Sequence, residues 1–82
     1  MGKVEKILKK MRNNPHGWRI DDLKTVAARF GLEWRQPGTS HVTFRHQSGK
    51  KLTVPAHKPI KPVYVRQFLN MIDRVEDNNE NT

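Results

Sequence analysis

His41-Val42-Thr43-Phe44-Arg45-His46-Gln47-Ser48-Gly49-Lys50-Lys51-Leu52-Thr53-Val54-Pro55 alternates apolar and polar side chains on either side of a turn. Val42 and Phe44 before the turn, and Leu52 and Val54 after it, have the period of two that puts one face of a strand inward. Gln47-Ser48-Gly49 has the length and the glycine of a three-residue hairpin loop. With that loop, Phe44 pairs with Leu52 and Val42 with Val54. The opposite face then pairs Arg45 with Lys51, Thr43 with Thr53 and His41 with Pro55.

Upstream, Leu32 and Trp34 keep the same alternation and predict a third strand, joined to the hairpin by a tight turn at Pro37-Gly38. Before it, Leu23, Val26, Ala27 and Phe30 form one helical stripe. That helix is expected to start at Asp21, whose side chain suits a cap, and to stop at Gly31. Val4, Ile7, Leu8 and Met11 mark an earlier helix over residues 3–13, ended by Asn13-Asn14-Pro15-His16-Gly17. Downstream, Pro62 suits the first turn of a last helix with Val65, Phe68, Leu69 and Ile72 as its stripe. The order predicts an α+β fold: a three-stranded antiparallel sheet with helices packed on one face and the other face open to water. Residues 1–75 are read as a single domain and residues 76–82 as an acidic, disordered tail.

The chain has 82 residues, which leaves no room for a second core. It has no cysteine, so disulfides, thiolate metal sites and cysteine nucleophiles are excluded. No run is apolar for long enough to span a bilayer, and residues 1–14 break any signal-peptide core with charge. A cytoplasmic, soluble chain with no membrane partner is therefore expected. The net charge is +8, but residues 1–72 hold fifteen Lys and Arg against four Asp and Glu, a local +11. Nucleic acid is the commonest partner of so basic a small surface.

Arg45 facing Lys51 is an unfavourable like-charge pair unless an anion lies between them, and phosphate is the obvious candidate. Lys50, Lys58 and Lys61 are expected to extend these two into a continuous basic strip that follows a nucleic-acid backbone. His41 falls on the same outer face. Histidine exchanges protons near neutral pH, so an exposed imidazole beside a phosphate-binding surface can act as general acid or base. Spacing alone does not separate that role from a plain surface histidine. His57 reads equally as a second group near His41, sharing the chemistry or binding phosphate, and as a loop histidine bonded to backbone. His46, on the inward side, and His16, in a turn, are assigned to structure. Trp34 and Tyr64 fit the core, and Trp18 is assigned there in preference to base stacking. No two histidines have the helical spacing of a zinc motif, and clustered acids are missing, so neither a metal site nor a cofactor is expected.

Gly38-Thr39-Ser40-His41-Val42-Thr43-Phe44, His46-Gln47-Ser48-Gly49, Leu52-Thr53-Val54-Pro55-Ala56-His57 and Ile60-Lys61-Pro62 with Val65-Arg66-Gln67-Phe68-Leu69 together resemble the HicA family of bacterial toxins. The resemblance runs from about the second helix to the last. It implies a double-stranded-RNA-binding-domain-like α-β-β-β-α fold, to which residues 3–13 add an extra N-terminal helix. It also implies an mRNA interferase, an endoribonuclease that stops translation by cutting mRNA, and a HicB-type antitoxin partner. The histidine that ends the family's Gly-x-Ser-His motif falls on His41 as the catalytic residue, with Gly38 and Ser40 of the same turn contacting RNA. Thr39, where a smaller residue is common, and Pro37, where a basic one is, depart from the family pattern. A non-catalytic RNA-binding module using the same strip is the alternative reading. A DNA-binding protein ranks below both, because only Arg66, Gln67 and Asn70 of the last helix resemble a groove-reading set.

Overall fold

The computed structural model describes residues 2–38, 40–56 and 58–80, the last five by backbone only. The elements run α1 (Lys3–Asn13), α2 (Ile20–Arg29), β1 (Glu33–Arg35), β2 (His41–Arg45), β3 (Lys51–Pro55) and α3 (Pro62–Glu80). The strands form one antiparallel sheet in the order β1-β2-β3. This is the expected α+β arrangement. The hairpin register is the one that the loop length requires: His41 opposite Pro55, Val42 opposite Val54, Thr43 opposite Thr53, Phe44 opposite Leu52 and Arg45 opposite Lys51. Gly49, at φ 99°, supplies the left-handed residue of the connection, and the His46 N–H donates to the Lys50 carbonyl at 2.9 Å.

The core lies between the inner face of the sheet and the three helices. Val42, Phe44 and Val54 from the sheet meet Met11 of α1, Leu23 and Val26 of α2, and Phe68, Ile72 and Val75 of α3, all fully buried. Phe44 sits at the centre, edge-on to Trp34 at 6.3 Å and tilted against Phe68 at 5.2 Å between ring centroids. Trp34, Trp18 and Tyr64 are half-buried against this core. The Trp18 indole N–H donates to the Asn14 carbonyl at 2.7 Å, so its polar atom is satisfied internally.

Local chemistry explains the helix ends, with one correction. Helix α2 starts at Ile20, and its first turn is closed by Asp22, whose carboxylate accepts the Arg19 N–H at 3.0 Å. Asp21, expected to be the cap, is exposed, and its carbonyl accepts the Thr25 hydroxyl. At the other end Gly31, at φ 73°, lets the Leu32 N–H reach the Ala27 carbonyl at 2.9 Å while its own N–H bonds Ala28. This reversal sends the buried Leu32 straight into β1. A second difference concerns the Pro37-Gly38 turn. Gly38 is not among the glycines with left-handed backbone, so the β1–β2 connection does not use the conformation that would demand glycine there. Helix α3 continues to Glu80, through the first residues of the segment expected to be a disordered tail.

Candidate nucleic-acid interface

The three strands turn successive side chains to opposite sides, so the face away from the helices is a grid set by register. At one end His41, exposed, stands opposite Pro55. In the middle row Arg35, Thr43 and Thr53 lie side by side, and the two threonine hydroxyls are 3.0 Å apart. In the last row Glu33, Arg45 and Lys51 are neighbours. A depression of about 580 Å³ lies over these two rows, bounded by Leu32, Glu33, Trp34, Arg35, Thr43, Arg45 and Lys51.

The expected pairing of Arg45 with Lys51 is present, and β1 changes its setting. Glu33 flanks Arg45 on the side away from Lys51, so one carboxylate of the chain itself partly offsets the cationic row. Among the described residues the salt bridges are Arg12–Asp73 and Arg29–Glu5, both away from this face. Arg35, Arg45 and Lys51 therefore keep their charge available to an external anion. Arg35 was absent from the expected contacts, although the inward parity of Leu32 and Trp34 already puts it outside.

The remaining expected residues divide by the two ends of the sheet. Lys50 follows the Gln47-Ser48-Gly49 connection at the Arg45–Lys51 end. Lys58 and Lys61, both exposed, lie in the segment that leaves β3 beside His41 and leads to α3. The basic residues thus form two groups instead of one unbroken strip. The five residues of β2 separate His41 from Arg45 by four steps, roughly 13 Å. His41 does not border the depression, and only an extended ligand can touch both. At the His41 end the Ser40 carbonyl accepts the Ala56 N–H at 2.8 Å, which ties the two connecting segments together. Gly38 is exposed, and among the described residues nothing lies within 4 Å of where a Cβ would stand. Thr39 and His57 lie outside the described residues.

Of the other described histidines, His46 has a structural role and His16 is exposed. His46 is buried, and its Nδ1 accepts the Ser48 N–H at 3.2 Å and lies 2.8 Å from the Ser48 hydroxyl, which closes the hairpin connection. The His16 N–H donates to the Asn14 side chain in the turn after α1. Among the described residues no three His, Asp or Glu side chains are grouped to hold a metal ion, and no helix is long and apolar enough to cross a membrane.

A three-stranded sheet with helices on one side and a bare, cation-bearing face on the other defines a small α+β domain of double-stranded-RNA-binding-domain-like architecture. Residues 20–73, from the start of α2 into α3, match the family model described as HicA toxin of bacterial toxin-antitoxin. The match covers more than half of the chain, and the protein belongs to that family. It is accordingly the toxin of a toxin–antitoxin system, and membership implies a HicB-type antitoxin as its partner. The matched span includes the whole sheet but leaves out α1. No curated protein and no solved structure matches the chain.

Proposed function

We propose that this toxin is an endoribonuclease that cuts mRNA in the cytoplasm and so stops translation, with His41 as its catalytic acid or base. The observation that carries the reading is the placing of an exposed imidazole on the same open sheet face as Arg35, Arg45 and Lys51. Breaking an RNA phosphodiester requires a proton to leave the ribose 2′-OH as its oxygen attacks phosphorus, and a proton to reach the departing 5′-oxygen. An imidazole within hydrogen-bond reach does either, for a rate factor of roughly 10²–10⁴. Arginine and lysine stabilise the added charge at phosphorus. In this reading Gly38, Ser40, His57, Lys58 and Lys61 contact RNA near the scissile bond, and Arg45, Lys50 and Lys51 hold the strand farther along. The reaction runs without a metal, because the acids of residues 1–72 are Glu5, Asp21, Asp22 and Glu33, spread over α1, α2 and β1. The antitoxin masks this face until it is released.

The test is incubation of the protein and of its His41→Ala form with a long single-stranded RNA in EDTA, read on a denaturing gel and repeated with ribosomes present. Cleavage by the parent, lost in the variant with RNA binding retained, is the expected result. The second reading, an RNA-binding module without chemistry, draws on the roughly 13 Å between His41 and the Arg45–Lys51 row. Intact RNA in every lane, with binding unchanged, would decide for it.

A further inference from the structure

On the far side of Lys51 a second groove, of about 270 Å³, runs between β3 and α3. Its polar wall is Lys50, Lys51, Gln67, Asn70 and Arg74, and its floor is Leu52 and Met71. We infer that this groove is a second RNA-binding subsite, in which the cations hold phosphates and the Gln67 and Asn70 amides read base edges. The inference rests on the RNA-cleaving reading above and extends it from catalysis to substrate selection.

Three observations carry it. The first is charge: among the described residues the groove is lined by three cations and no carboxylate. Asp73, the acid beside Arg74 in sequence, is bonded to Arg12 of α1. The second is continuity. Lys51 borders both this groove and the depression on the outer face, so a strand lying over Arg45 and Lys51 passes round the β3 edge into the groove without leaving cationic surface. The third is the chemistry of the α3 wall. Gln67, Asn70 and Arg74 follow one another at three and four residues, which stacks them on one helical face. Amide side chains donate and accept at once and match mixed donor–acceptor edges such as that of adenine, whereas ammonium and guanidinium groups, being donors only, match acceptor edges such as that of guanine. An unpaired strand is the form of RNA that exposes its base edges to such readers.

The test is RNA binding in the His41→Ala background, so that cleavage does not enter. Arg74→Gln, at the one groove cation that the reading above does not assign to RNA, is expected to weaken binding of a single-stranded RNA several-fold at about 0.15 M salt. It should also lower the slope of log affinity against log salt by about 0.7 for each lost phosphate contact. Lys9→Gln, the same charge change on an exposed position of α1, is the control and should do much less. Gln67→Ala with Asn70→Ala should keep the salt slope and change the ranking of a set of oligonucleotides that differ in base sequence. Circular dichroism confirms that each variant is folded. An Arg74 variant no worse than the α1 variant, or amide variants with the parent's ranking, overturns the subsite. A parent that binds no RNA at all overturns the RNA reading with it. Binding without cleavage by the parent, which keeps His41, would remove the catalytic reading and leave the subsite standing.

Discussion

Gly38 stands three residues before His41 and has neither of the usual structural reasons for being glycine. Its backbone is not left-handed, and a Cβ there would meet nothing among the described residues. What remains is the proposed contact with RNA, which a side chain at Gly38 would obstruct. Gly38→Ala is therefore expected to leave stability unchanged or to raise it by about 0.4–1 kcal/mol through the unfolded chain. RNA cleavage should nonetheless fall by between about tenfold and a hundredfold, since small displacements of a reacting group are costly. Thermal melting and a cleavage time course together check this, and full activity in a stable variant would return Gly38 to an ordinary loop position. The contrast with His46 shows what sequence parity can do for single residues. Alternation put His46 inward and His41 outward, and burial agrees for both. It also placed Arg35 outside, but that strand has only three residues, too few for its charged side chains to stand out as part of a surface.

Among the elements, α1 is the one that the family match leaves out, yet it is part of the core. Met11 is fully buried, Leu8 nearly so, and Arg12 bonds Asp73 of α3. Met11→Ala is expected to cost about 2–5 kcal/mol, the range for emptying a core site, measured as a shift in the urea midpoint without a change in slope. A loss below about 1 kcal/mol would make α1 a loosely docked addition. Periodicity shows which side of such a helix is apolar but not which surface it meets, so its docking was not legible beforehand. The hairpin was legible to the residue, because a loop length and an alternation leave one register. The start of α2 was read one residue late: Asp21 and Asp22 are adjacent and chemically alike, and a cap is a matter of single positions. The continuous basic strip was misjudged for a different reason. Lys50 and Lys58 both adjoin β3 in sequence, but they leave it at opposite ends.

Over the whole molecule, charge is sorted along the chain, with Glu76, Asp77 and Glu80 gathered after Val75. Helix α3 carries these positions onward from Arg74, which borders the β3–α3 groove. Val75 is buried, so a chain ended after it keeps every core side chain described. Removing residues 76–82 raises the net charge from +8 to +11. No described core side chain is removed, so the stability of the shortened chain, read from its melting profile, should change by no more than about 0.5 kcal/mol. The field that an approaching polyanion meets changes more. Single-stranded RNA should bind the shortened chain several-fold more tightly at about 0.05 M salt, mainly through faster association. The advantage should fade toward about 1 M salt, where screening acts within about 3 Å. Fluorescence anisotropy across that range, with the parent beside it, makes the comparison. Equal affinities at low salt would mean that the acidic end lies away from the path of the RNA, whereas a gain that survives high salt would mean that the tail blocks the groove by contact and not by charge.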